Sequence, residues 1–106
     1  MNSIDKPISE QFRIVAKGWA QKNAAAQLLS ETKTAVLAQM ISRHGDIPHN
    51  KAERLVKASE EWHDFIQKMV EAQEAANMAK VQMEYIRMQF NEWQSKEATA
   101  RAERRL

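Results

Sequence analysis

From Asn50 to the C-terminus the chain contains neither glycine nor proline. Over that stretch apolar residues recur in heptads. One core position holds Leu55, Trp62, Met69, Ala76, Met83 and Phe90. The other holds Ala58, Phe65, Ala72, Ala79, Ile86, Trp93 and Ala100. A 3.5-residue repeat kept for about six heptads specifies a helix with a seam that meets another helix. If continuous over residues 50–104, this helix is on the order of 80 Å long, at 1.5 Å per residue. Alone it would leave the seam in water, so it needs a partner.

The first half of the chain can supply one. Pro7, Ser9, Glu10 and Gln11 mark a helix start, with the carboxylate near the positive end of the dipole. Phe12, Val15, Trp19, Ala26, Leu29, Val36 and Met40 then follow at helical spacing. Residues 1–8 read as a lead-in and 9–43 as helix one, either continuous or broken near 22–24. Arg43, His44, Gly45 and Pro48 form a stop signal, which makes 44–49 a turn. Asn50 offers an N-cap, with Glu53 placed for a capping box. Two glycines and two prolines in 106 residues are too few for the turns of a β protein. The expected fold is all-α: a single domain, 1–106, built as an antiparallel helical hairpin with a long, coiled-coil-like helix over 50–104. A break in helix one would make it a three-helix arrangement.

Folding symmetrically about the turn pairs Met40 with Leu55, Leu29 with Phe65, and Trp19 with Ala75 and Ala76. A large indole against small alanines is the kind of layer that fills a helical core. In that register helix one ends opposite about residue 85, leaving Ile86, Phe90, Trp93 and Ala100 uncovered. Met78, Val81, Tyr85 and Met88 form a second apolar stripe on the face opposite the seam. Earlier positions on that face are Glu60, Asp64, Gln67, Glu71 and Glu74, so it changes from acidic to apolar near residue 78. A helix apolar on two sides is expected to lie between two neighbours. Met, Tyr and Trp are also suited to binding surfaces. The expected partner-binding residues are Met78, Val81, Tyr85, Ile86, Met88, Phe90 and Trp93.

Catalytic signatures are missing. The chain has no Cys, no glycine-rich phosphate loop, and no Ser or Thr matched to a His and an acid. His44, Asp46 and His49 cluster in the turn, but structural zinc takes four ligands, and these read as turn and capping residues. His63 falls on the solvent side of the heptad. No enzyme, metal, cofactor or small-molecule substrate is expected. Without a signal-peptide core or a membrane-length apolar run, the chain reads as cytoplasmic, with no membrane role. The net charge is only +2, although residues 47–77 sum to about −2 and 78–106 to about +2. Lys96, Arg101, Arg104 and Arg105 make a basic C-terminus, the basis of an alternative reading as a nucleic-acid-binding accessory factor. Cations in a last helical turn are also what the dipole favours.

The stretches EAQEAANMAKVQMEY (residues 71–85) and WQSKEATARAE (residues 93–103) resemble small helix-rich accessory proteins of tailed phages and prophages. The resemblance is best over residues 50–106. Gln94 stands where that group favours Arg. It implies a non-enzymatic factor in a bacterial host cell, working by helix-mediated protein–protein interaction in phage DNA metabolism. The expected partners are a second copy, as a homodimer, or a host or phage protein.

Overall fold

A computed structural model describes residues 7–105. They form three helices and no strand: α1 (Ile8–Ser42), α2 (His49–Lys57) and α3 (Glu60–Arg104). The fold is all-α and elongated, 84 × 28 × 16 Å. α1 packs mainly along α3, while α2 touches both. Of the lead-in expected at 1–8, only Pro7 and Ile8 lie within the described residues.

Pro7 precedes α1 with φ −56° and ψ 151°, and its carbonyl accepts the Gln11 N–H at 3.0 Å. The ring holds φ in the range from which a helix can begin. α1 then runs unbroken to Ser42 through Gly18, Lys22 and Asn23. Gly18 and Asn23 lower the helix propensity there, but the residues are laid along a long partner, and packing outweighs propensity. The stop falls at the turn signals. His44 N–H donates to the Ile41 carbonyl, and Gly45 takes φ +68°, a left-handed value that costs a side-chain-bearing residue energy.

Past the turn the structure departs from the expected single helix in two places. Asn50 is not the cap: α2 starts at His49 behind Pro48, whose carbonyl accepts the Ala52 N–H at 3.0 Å. An N-cap needs a non-helical backbone, and Asn50 is already helical. The larger difference is a break after Lys57. Ser59 turns extended (φ −78°, ψ 151°), its Oγ accepts the Trp62 N–H at 3.2 Å, and the same hydroxyl donates to the Val56 carbonyl. Ser59 is therefore the true N-cap of the long helix, followed by Glu60 and Glu61 in the first turn, where the dipole favours acid.

The break shifts the seam by one residue. Before it, Ala52 and Val56 are buried, while the expected core residues Leu55 and Ala58 are exposed. After it, Trp62, Ala76, Ala79 and Met83 are buried in the expected heptad phase. α2 thus crosses the closed end of the hairpin and seals the core. Met40, Val56 and Trp62 form its centre, with Val36, Leu37, Ile41, Phe65 and Ile66 around them. Trp62 and Phe65 stack with centroids 5.6 Å apart. On the surface, Arg43 Nη1 bonds Glu61 at 2.9 Å, tying the end of α1 to the start of α3.

Candidate helix-docking surface

Inserting α2 at the closed end slides α1 along α3 by roughly a turn and a half from the symmetric register. Met40 meets Val56 and Trp62 rather than Leu55. At the other end the Arg87 guanidinium lies 5.6 Å from the centroid of the Phe12 ring, within cation–π range. Interpolating between these contacts, Ala26 rather than Trp19 falls opposite Ala75 and Ala76. Ala26 and Ala76 are both buried, and small residues on both helices permit close approach. The large-on-small layer expected at Trp19 becomes a small-on-small one, seven residues further along α1.

The same slide shortens the overhang. Ile8, Ser9, Phe12, Arg87 and Phe90 line a shallow apolar cleft of about 320 Å³ where α1 begins. Pro7 and Trp93 extend it. α1 therefore reaches Phe90 instead of ending opposite residue 85, and Ile86 and Phe90 are half-buried. Trp93 stacks on Phe90, with centroids 6.1 Å apart, but stays 51% exposed. The seven expected partner-binding residues fall into two sets. Ile86, Phe90 and Trp93 belong to the seam that faces α1. Met78, Val81, Tyr85 and Met88 lie on the other face and are 58–67% exposed. Ile8 and Phe12, which cover Phe90, were not foreseen as part of this end, since nothing local in the sequence sets the register.

The exposed stripe belongs to a helix held rigid on its far side by buried Ala79 and Met83. The Tyr85 hydroxyl accepts from Gln89 Nε2 at 3.3 Å and otherwise faces outward. Nearer the helix start, Asp64, Glu71 and Glu74 occupy the same face without a cationic partner among the described residues. Past the stripe, Glu92 is joined to Lys96 at 3.3 Å. Neighbouring apolar side chains at such exposure form a contiguous apolar patch on one face of a long helix.

The chain matches no protein-family model, no curated protein and no solved structure. The surface has to be read from its own chemistry.

The basic end is less concentrated than its sequence suggests. Lys96 is engaged by Glu92, and Arg104 Nε donates to the Ala100 carbonyl at 3.3 Å. Arg101 and Arg105 are exposed, with Glu97 and Glu103 interleaved among the cations. At the start of α2, His49 Nε2 lies 3.9 Å from Glu53. Among the described residues no three metal-binding side chains are grouped to hold an ion. Nor, among the described residues, is any helix long and apolar enough to cross a membrane.

Proposed function

We propose that the protein acts by binding rather than catalysis, as a helical module whose α3 receives a helix of a partner protein. The observation that carries this reading is the row Met78, Val81, Tyr85 and Met88, all more than half exposed at helical spacing on the face turned away from α1. The surface is preformed, because α1 anchors the opposite face of α3 over the same residues. Two thioethers, an aryl ring and a branched aliphatic give it adaptable apolar contact with one polar handle. A partner helix would lay its i, i+3 and i+4 side chains along the row. The setting of a phage accessory factor in DNA metabolism rests only on the resemblance of residues 50–106.

Photo-crosslinking in the cell of expression tests the reading. A photoreactive residue at Val81 or Met88 is expected to give protein adducts, and one at exposed Ala35 on α1 is not. Met78→Asp should abolish the Val81 adducts while leaving helix content unchanged. Absence of any adduct from both stripe positions would defeat the reading.

A further inference from the structure

The spacing of the exposed stripe has a property that a one-sided docking site does not need. Met78, Val81, Tyr85 and Met88 are separated by three, four and three residues, with methionine at both ends. The pattern reads the same in either direction about Met83. Turning a second α3 antiparallel about an axis beside Met83 sets Met78 against the other copy's Met88, and Val81 against its Tyr85. Both contacts then occur twice, as a two-fold interface requires. The branched aliphatic against the ring is a small-on-large pairing, so the layers fill.

Charge continues the match beyond the stripe. In residues 60–74 five carboxylates face one lysine; in residues 92–105 four cations outnumber three carboxylates. The antiparallel arrangement lays the first segment of each copy along the second segment of the other. Lys96 comes within one residue of the position facing Glu71, Arg101 within one residue of the position facing Asp64, and Arg105 faces Glu61. The one carboxylate that falls against a carboxylate in these arms is Glu74 against Glu92, and Glu92 already carries Lys96. A parallel pair would instead stack Asp64, Glu71 and Glu74 on their own copies, at a repulsive cost.

We infer that the stripe on α3 is a self-association surface, and that a second copy of this chain docks on it antiparallel, with the two-fold axis beside Met83. This rests on the reading of α3 as a binding surface and names its occupant. α1 of each copy then lies outside, giving a flat row of four helices with the two α3 helices in the middle. Glu84 of both copies falls close to the axis, the one like-charged contact there.

The absence of cysteine makes trapping clean. Met78→Cys and Met88→Cys chains, each alone, should oxidise slowly; mixed, they should form a disulfide-linked dimer rapidly, because residue 78 of one chain faces 88 of the other. Rapid linkage of each variant to itself would overturn the antiparallel axis. Sedimentation of the unmodified full chain should show a monomer–dimer equilibrium. Met78→Asp combined with Met88→Asp should weaken it about tenfold or more, raised salt should weaken it, and Glu84→Gln should tighten it. A wild-type chain that stays monomeric at several hundred micromolar would overturn the second copy as occupant. If Val81 crosslinks only to other proteins in the cell, the binding reading stands and this inference fails. If neither Val81 nor Met88 crosslinks to anything, both fail.

Discussion

Replacing Ser59 with alanine separates a broken second half from a continuous one by the sign of the effect. In a continuous helix over 50–104, alanine at an interior serine position would stabilise by about 0.5 kcal/mol, since alanine is the better helix former. In the structure, Ser59 Oγ accepts the Trp62 N–H at 3.2 Å and donates to the Val56 carbonyl, so it joins the end of α2 to the start of α3. Losing a serine N-cap costs about 1 kcal/mol. For a chain of this size, that lowers Tm by roughly 4–8 °C. The assay is thermal unfolding followed by far-UV circular dichroism at one fixed chain concentration, because association would make Tm depend on concentration. Ser30→Ala, at an exposed interior position of α1, is the control and should raise Tm slightly. Ser59→Asp should restore most of the lost stability, as aspartate caps as well as serine. A Tm that is unchanged or raised by Ser59→Ala would refute the break.

The phase shift across the break has its own test. Val56→Ala, at a 2% exposed position, should cost about 2 kcal/mol in urea unfolding. Leu55→Ala, at a 46% exposed position, should stay within about 0.5 kcal/mol of wild type; the reverse ranking would restore the uninterrupted heptad. The two glycines should respond oppositely. Gly45→Ala forces a side chain into φ +68° and should destabilise by about 1–2 kcal/mol. Gly18→Ala, with nothing within 4 Å of the added carbon, should stabilise by about 0.5–1 kcal/mol. Finally, the Lys57 ammonium holds the Glu53 carboxyl below its ordinary value, first by a hydrogen bond and then by charge. A depressed carboxylate stabilises the folded chain above its unfolded pKa, and that contribution is lost as pH falls through the folded value. Carboxyl NMR titration should therefore show Glu53 moving up in Lys57→Met.

Several elements were legible because their signals are local. Gly45 and Pro48 announce the turn, and Pro7 marks the start of α1. From Trp62 to Met83 the buried residues follow the heptads read from sequence. What escaped is a choice between adjacent apolar residues. Leu55 and Val56 stand side by side, so either can complete a pattern, and the closing of α2 over Met40 and Trp62 decides which is buried. A signal was present in Ser59 followed by Glu60 and Glu61, but the unbroken apolar repeat hid it. That single miss carried over to the surface. It displaced the register of α1, and with it which of the seven residues expected to bind a partner α1 covers: Ile86 and Phe90 are half-buried, while the stripe from Met78 to Met88 stays open.

The closed end of the hairpin gathers Met40, Val56 and Trp62 under a short crossing helix, whereas the far end is held by half-buried Ile8, Phe12, Ile86 and Phe90. Two long helices fastened so unevenly form a zipper with one strong clasp. Opening free energy should rise steadily from the tips toward the clasp, so backbone amides near Phe12 and Phe90 exchange with solvent long before those near Met40 and Trp62. Because every contact near the clasp spans a short loop, the chain should refold by closing there first and zipping outward. A partner that grips α3 between residues 78 and 88 would then do more than cover apolar surface. It would hold α3 helical through the half of the molecule that opens most easily.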